Sequence, residues 1–185
     1  MRLATWNINS IRIREALIAA FVNSHAPDVL CLQETKVNDP DFPHDIVARL
    51  GFPHVLFTGE KSYNGVAILS KTPLKHHATY DMIGNGQKRH IAAELSNGIL
   101  LHNFYVPAGG DIPDVNANPK FKEKLAFVDA MADWAAQEVK PKHKMIAVGA
   151  LNIAPLEHDG WSHQQLLKTV SHTPAEVATL PRAHQ

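Results

Sequence analysis

The strongest constraint on the fold is a short unbroken apolar run, Val29–Leu32, that ends in polar residues. Pro27 and Asp28 precede the run, and its branched side chains are typical of a strand buried on both faces. Ligands of α/β proteins bind outside the carboxyl ends of such strands. Glu34 follows the run at that end, where a carboxylate can hold a hard cation through oxygen. The alternative is a charged loop that merely follows a strand.

A second apolar run begins at Leu3 and ends in Asn7. Between the two runs, residues 11–23 repeat at helical spacing, with Ser10 as the predicted N-cap. The apolar face of this helix is predicted to contain Ile13, Ala16, Leu17, Ala20, Phe21 and Ser24. Strand–helix–strand order predicts two adjacent parallel strands. Asn7 and Glu34 would then lie side by side and share one ion.

Composition predicts an ordinary globular protein with one domain over residues 1–185. Lys plus Arg and Asp plus Glu both number 18, so attraction to phosphate must come from a local patch. Cys31 is the only cysteine and lies in the predicted buried strand, which excludes an internal disulfide and predicts a reducing cytoplasm. No run is long enough for a membrane span, and the first residues do not form a signal peptide.

The sequence after residue 36 predicts further strands and helices and two hairpin turns. Tyr63-Asn64-Gly65 and Asn97-Gly98 are the predicted hairpin turns. The strand at 145–148 is apolar without alternation, which predicts cover on both faces. In order, the predicted elements are a helix at 43–50, strands at 54–58, 65–70, 74–80, 90–95 and 99–105, a helix at 118–139 ended by Pro141, a strand at 144–148, and helices at 162–170 and 174–180.

Four segments in this order resemble motifs of the exodeoxyribonuclease III family of apurinic/apyrimidinic endonucleases: residues 6–12, 32–36, 103–109 and 144–155. That family belongs to a superfamily with deoxyribonuclease I and the inositol phosphatases. The resemblance implies a four-layer α/β sandwich of the deoxyribonuclease I-like type, with two mixed sheets face to face and helices outside. It also implies Mg²⁺-dependent hydrolysis of DNA phosphodiesters, with Mn²⁺ as an alternative metal. The implied partner is double-stranded DNA with abasic sites or 3′ ends, during base excision repair.

The resemblance also assigns expected roles to single residues. Asn7 and Glu34 would hold the metal, and Tyr105 and Asn152 would contact phosphate or water. The residues expected to contact DNA are Lys36, Lys88 and Arg89, the last two within a basic stretch between Glu60 and His90. The alternatives remain open: Tyr105 as a core aromatic, and the basic stretch as a solvated face.

The sequence departs from the family pattern in two places. Ala150 stands where relatives carry the Asp that orients or deprotonates the attacking water, and loss of a general base commonly costs ~10²–10⁴-fold in rate. Relatives also continue to a Ser-Asp-His motif that the 185 residues do not contain. His158 and His163 are weak candidates to replace it. The second sheet is therefore expected to be incomplete, with an open edge that favours self-association.

Three functions follow as hypotheses. The first is a DNA repair nuclease of the exodeoxyribonuclease III type with lost or strongly reduced activity. The second is a non-catalytic DNA-binding or regulatory remnant of that family. The third is an interaction module without a role on DNA. Cleavage and salt-dependent binding of an abasic-site duplex distinguish them.

Overall fold

The computed structural model describes residues 1–138 and 144–179, which fall into two units. One unit contains residues 1–105 and the strand near residue 150, and the other contains the long helix and the chain from Leu151 onward. No helix in the described ranges has the length and apolar character that a membrane crossing requires.

The first unit contains two four-stranded sheets. The first sheet has the order β1-β2-β4-β3, and its strands are β1 (Leu3–Asn7), β2 (Val29–Gln33), β3 (His54–Glu60) and β4 (Tyr63–Ser70). β1 and β2 are parallel, as the sequence predicted, and β2 is antiparallel to β4. All five residues of β2 are buried, which confirms the prediction of a strand covered on both faces.

Two helices contribute to the apolar core on one side of this sheet: α1 (Glu15–His25) and α2 (His44–Arg49), the latter preceded by a 3₁₀ turn at Asp39–Asp41. α1 begins four residues later than predicted, and Ser10 does not cap it. Instead, the Ser10 and Ile11 N–H groups donate to the carbonyls of Glu34 and Thr35. The chain after β1 therefore runs along the loop that follows β2 before the helix begins.

The predicted apolar face of α1 was wrong except at Phe21. Ile13 and Leu17 are 71% and 51% exposed, whereas Ile18 is fully buried. Phe21 and Val22 pack against the same core. Ile13 lies before the helix begins, and the side of α1 that faces the core contains Ile18, Ala19, Phe21 and Val22.

The second sheet has the order β5-β6-β7-β8. Its strands are β5 (Leu74–Ala78), β6 (His90–Leu95), β7 (Leu100–Tyr105) and β8 (Met145–Ala150). The predicted Asn97-Gly98 hairpin joins β6 to β7, and β7 is parallel to β8. The facing sides of the two sheets share a core that includes Cys31 and Ile68 from the first sheet and Leu101 from the second.

β8 differs from its prediction. Its residues are half-buried and Ala147 is exposed, although the unbroken apolar sequence predicted cover on both faces. In the described residues β8 pairs only with β7 and forms one edge of the second sheet. A half-buried edge strand retains N–H and C=O groups that can pair with another chain.

The hairpin between β3 and β4 turns at residues 61–62, not at Tyr63-Asn64-Gly65 as predicted. Glu60 pairs with Tyr63, and Ser62 has a φ of 68°. Asn64 and Gly65 have positive φ within β4 itself. Asn64 and Gly65 therefore adopt the left-handed conformation that their sequence predicted. They do so at the start of β4 and not in the turn.

The second unit contains the remaining helices, α3 (Pro119–Glu138), α4 (His163–Leu166) and α5 (Pro174–Thr179). Asn118 caps α3 as predicted, since its Oδ1 accepts from the Lys120 N–H. α4 is much shorter than the predicted helix at 162–170. The predicted ends of α3 near Val139 and Pro141, and of α5 at Leu180, lie outside the described residues.

Candidate active site

Asn7 and Glu34 meet at the carboxyl edge of the first sheet. Asn7 ends β1 and pairs in register with Gln33, the last residue of β2, so Glu34 is the next residue past the edge. The Asn7 Nδ2 donates to Glu34 Oε1 at 3.0 Å. The predicted pair therefore lies side by side, because the two strands are parallel and end together.

Tyr105 reaches the same carboxylate from the other sheet. It is the last residue of β7, and its hydroxyl donates to Glu34 Oε1 at 2.5 Å. The Lys36 ammonium lies 3.0 Å from the other oxygen, Glu34 Oε2, and also donates to Asn9. Glu34 is thus surrounded by donors from both sheets and from its own loop.

These donors fix the ionisation state of Glu34 and Tyr105. Burial raises the pKa of Glu34, but the hydrogen bonds from Asn7, Tyr105 and Lys36 together outweigh it, so the pKa lies below its ordinary value. Burial, and then the hydrogen bond to Glu34, raises the pKa of Tyr105 to about 12. At neutral pH the pair is therefore a carboxylate and a neutral phenol that donates to it.

The backbone around Glu34 is held in an unusual conformation. Glu34 and Lys36 have φ values of 55° and 54°, in the left-handed region that non-glycine residues seldom adopt. Hydrogen bonds from Thr35 N to Gly65 O (3.2 Å) and from Lys36 N to Asn64 O (3.0 Å) support the loop. A Cβ at Gly65 would lie 2.1 Å from Thr35 Oγ1, so only glycine lets β4 approach this closely.

The candidate DNA-binding residues lie near this cluster to different degrees. The Arg89 guanidinium lies 4.6 Å from the centre of the Tyr105 ring and donates to the Tyr105 carbonyl. Lys36 contacts Glu34 directly. The Lys88 backbone bonds to Glu60 and to Gly65, which places this residue at the entry to β6. The structure thus brings Lys36 and Arg89 to the Glu34–Tyr105 pair.

Position 150 lies in the same unit as this cluster, and Asn152 lies in the other. Ala150 is the last residue of β8 and is the register partner of Tyr105. Its methyl group supplies neither a proton acceptor nor a metal ligand. In the second unit, the Asn152 Nδ2 donates to the Val106 carbonyl at 2.7 Å.

The two histidines considered as replacements also belong to the second unit. His163 Nδ1 lies 2.8 Å from His172 Nε2, and His172 in turn contacts the Ala154 carbonyl. His158 is exposed. The contacts of His163 are those of a residue that supports a loop.

The donor set at Glu34 fits a hard cation with few protein ligands. One ionised carboxylate and one amide are available, and the described residues contain no cluster of three or more His, Cys, Asp or Glu side chains suited to a metal. Mg²⁺ is commonly bound by one or two carboxylates, keeping several waters and substrate oxygens as its other ligands. Glu34 and Asn7 would hold such an ion, and their oxygens are also compatible with Mn²⁺.

A buried pair of amide side chains, which the motifs did not predict, lies behind the site. Gln33 Nε2 donates to Asn103 Oδ1 at 2.6 Å, and Asn103 Nδ2 donates to the Leu32 and Ala67 carbonyls at 3.0 Å. These bonds join β7 to the first sheet close to Glu34 and Tyr105. The available signal was that Asn103 lies within a predicted strand and Gln33 directly follows a predicted buried one, and buried polar groups must find partners.

Comparisons with known proteins identify the family of this chain. The Endonuclease/Exonuclease/phosphatase family matches residues 4–174. Exodeoxyribonuclease III of Haemophilus influenzae is 33% identical over 164 residues, which cover 86% of this chain and 60% of the relative. DNA repair nuclease APEX1 of Danio rerio is 29% identical, with 95% and 56% covered. The chain thus spans less than two thirds of the length of these relatives.

Two solved structures resemble the whole chain. An AP endonuclease from Archaeoglobus fulgidus has a TM-score of 0.89 and 31% identity, covering 100% of this chain and 70% of that one. The 3′ phosphatase NExo from Neisseria, bound to a product DNA hairpin, has a TM-score of 0.88 and 29% identity over the same shares. These likenesses confirm the predicted fold class.

Proposed function

Since the chain belongs to the Endonuclease/Exonuclease/phosphatase family, as its motifs predicted, we propose that it binds DNA at abasic sites and 3′ ends with Mg²⁺. We further propose that hydrolysis of the phosphodiester is slow. Its relatives are named for DNA repair and for exonuclease and AP endonuclease activities. A cytoplasmic location remains a prediction from the single, buried cysteine.

The observation that carries this proposal is the Glu34 carboxylate with its donors. It is ionised, it lies at the carboxyl edge of the first sheet, and Asn7 and Tyr105 orient it from two sheets. A bound Mg²⁺ supplies positive charge that polarises the phosphoryl group and stabilises the leaving oxygen. The protein contributes oxygen ligands from Glu34 and Asn7, which the parallel pairing of β1 and β2 holds side by side before the ion and the phosphate arrive.

Three other side chains near this carboxylate carry hydrogen-bond donors or positive charge that can bind a DNA phosphate. The Tyr105 hydroxyl can turn from Glu34 to a phosphate oxygen, and it stays protonated at neutral pH because its pKa is about 12. Arg89 stacks on the Tyr105 ring and presents a guanidinium that matches phosphate geometry. Lys36 adds a second positive charge at the Glu34 loop.

Position 150 supports the slow rate. Proton removal from water by a positioned side chain contributes typically ~10²–10⁴-fold to a rate, and a methyl group cannot do this. Ala150 is paired with Tyr105 at the end of the two parallel strands. A second candidate function, DNA binding without hydrolysis, rests on the same residue and differs only in having no measurable turnover.

A paired assay separates these functions. Cleavage of an abasic-site duplex is measured with Mg²⁺ and with Mn²⁺, beside the exodeoxyribonuclease III of Haemophilus influenzae, and binding of the same duplex is measured at two salt concentrations. We expect binding that weakens as salt rises and cleavage far below that of the relative. Cleavage at the relative's rate would refute the slow-hydrolysis proposal, and absence of binding would refute the DNA role.

A matched pair of variants assigns the result to the site. Glu34→Gln removes the carboxylate charge, and we expect loss of the Mg²⁺-dependent part of DNA binding. Glu94→Gln is the control, because Glu94 is a half-exposed strand residue whose partner is Lys75. Equal effects of the two substitutions would mean that Glu34 has no special part in binding.

A further inference from the structure

The long helix α3 contains a lysine in its buried face. Lys124 is 0% exposed, between the buried Phe121 and Val128. Lysine is almost never fully buried unless its charge is paired, because removal of an ammonium group from water is costly. The contacts of Lys124 therefore explain why the position holds a lysine.

The Lys124 ammonium has four acceptors around its three N–H bonds. It lies 2.5 Å from Glu176 Oε1 and 2.6 Å from the Asn152 carbonyl. The Ser171 hydroxyl and the Ala108 carbonyl lie at 3.2 and 3.3 Å. Lys124 thus joins three segments of the second unit: the chain after β7, the chain after β8, and the segment that leads into α5.

Glu176 is itself fully buried and is held from the other side. It accepts hydrogen bonds from the Ser171 N–H and from the N–H and hydroxyl of Thr173. These donors fix the carboxylate at the start of α5, so Lys124 meets an immobile counter-charge. The ammonium is consequently fixed as well, and so are the carbonyls that it contacts.

The segment with Asn152 is held through both its backbone and its side chain. Asn152 has a φ of 53°, in the left-handed region that asparagine adopts more readily than most other residues. Its carbonyl bonds to Lys124 and its side-chain Nδ2 to the Val106 carbonyl. Gly109 also fits around the lysine, since a Cβ there would lie 2.7 Å from Lys124 Cδ.

We infer that Lys124, with Glu176 as its counter-charge, is a positioning residue that fixes the backbone of Asn152 and thereby aims the Asn152 side chain. Stability alone is a poor reason for this ion pair, because apolar residues of similar volume often stabilise a buried site as well or better. The inference rests on the proposed function to the extent that Asn152 contacts the DNA phosphate or the attacking water.

The test separates positioning from stability with two variants. Lys124→Met leaves the Glu176 carboxylate buried without its partner, so we expect a marked fall in melting temperature. Lys124→Met combined with Glu176→Gln removes both charges, and we expect most of the melting temperature to return. Both variants lack the Lys124 N–H that donates to the Asn152 carbonyl.

Two measurements are made on both variants and on the control Lys122→Met, an exposed lysine of the same helix. The first is the ¹H–¹⁵N signal of the Asn152 side-chain amide, assigned by its loss in Asn152→Ala. The second is the affinity for a duplex with a stable abasic-site analogue in Mg²⁺. In the double variant we expect a shifted Asn152 signal and binding weaker by about tenfold, the equivalent of about 1.4 kcal/mol.

The outcomes distinguish the inference from the proposed function. A double variant with an unmoved Asn152 signal and full affinity would overturn the inference and leave Lys124 a structural residue. If the unmodified protein does not bind the duplex, the proposed function fails, and the Asn152 signal alone still decides whether Lys124 positions that residue. A fall in melting temperature without a shifted signal in the single variant also counts against positioning.

Discussion

A pair of buried histidines in the second sheet makes the free energy of unfolding depend on pH. The dependence falls at higher pH values than those at which carboxylates titrate. His90 on β6 and His102 on β7 are 0% and 1% exposed, and His90 Nε2 lies 3.1 Å from His102 Nδ1. The Tyr80 N–H donates to His90 Nδ1 at 3.1 Å. His90 must therefore carry its proton on Nε2 and donate it to His102 Nδ1, so the neutral tautomer of both rings is defined by the backbone.

Protonation breaks this chain of hydrogen bonds. A proton added to His90 Nδ1 or to His102 Nδ1 would face another N–H group. Burial, followed by the neighbouring histidines, lowers the pKa of His90 to about 3, and burial followed by His77 lowers that of His102 to about 4. Both rings therefore stay neutral in the folded protein at pH 5.

The sign of the effect follows from linkage. In the unfolded chain the two histidines bind protons below about pH 6.5, whereas the folded protein does not, so stability falls as pH falls from 6.5 towards 4. At pH 5 each ring costs about 2 kcal/mol of unfolding free energy relative to pH 8, and the pair costs about 4 kcal/mol. That is a large share of the stability of an ordinary domain.

Urea unfolding at pH 8, 7, 6 and 5, followed by circular dichroism, measures this slope. His102→Asn keeps an acceptor for His90 but removes one titrating ring, and we expect about half of the slope to disappear. His158→Asn, at an exposed position, is the control and leaves the slope unchanged. A flat stability between pH 8 and pH 5, or an unaltered slope in His102→Asn, would refute the assignment of a buried neutral pair.

Four further predictions concern the site and the sheet edges. Calorimetric titration with Mg²⁺ detects binding to the unmodified protein and not to Glu34→Gln; equal heats in both would exclude Glu34 as a ligand. In Tyr105→Phe, which removes one hydrogen-bond donor, carboxyl ¹³C titration gives a higher pKa for Glu34, and an unchanged pKa would count against that hydrogen bond. Gly65→Ala lowers the unfolding free energy by about 1–3 kcal/mol in urea, because φ is 88° and the new Cβ meets Thr35 Oγ1, whereas wild-type stability would contradict that close contact. Light scattering shows concentration-dependent association through the β8 edge, weakened by Ala147→Lys; a monomer at every concentration would rule it out.

Local sequence was sufficient to predict much of the architecture. It also predicted that Asn7 and Glu34 lie side by side. The β2 run is buried on both faces, so its apolar pattern identified it directly, and Glu34 followed from where the run stops. The start of α1 was different, because Ser10 has the chemistry of an N-cap. Its N–H is instead taken by the Glu34 carbonyl, a partner distant in sequence that no local pattern reveals.

The burial of Lys124 could not be predicted from local sequence either. Helical spacing placed it beside apolar residues, and a lysine there is usually assumed to reach solvent with its ammonium group. Its burial depends on Glu176 and on two backbone carbonyls, which come from three distant segments. Gln33 and Asn103 were missed for the same reason, since the hydrogen bond between them joins two sheets and two residues that are distant in sequence.

The spacing of the Glu34 donors along the chain has a consequence for folding order. Asn7 lies 27 residues before the carboxylate and Tyr105 lies 71 residues after it. Contacts between distant residues form late, because closure of the intervening loop must precede them. During synthesis, Glu34 and Asn7 leave the ribosome long before Tyr105 does, and the three can assemble only after both sheets have formed. A nascent chain therefore exposes the Glu34 carboxylate and the Asn7 amide without the Tyr105 hydroxyl, and the cluster is complete only when β7 has docked.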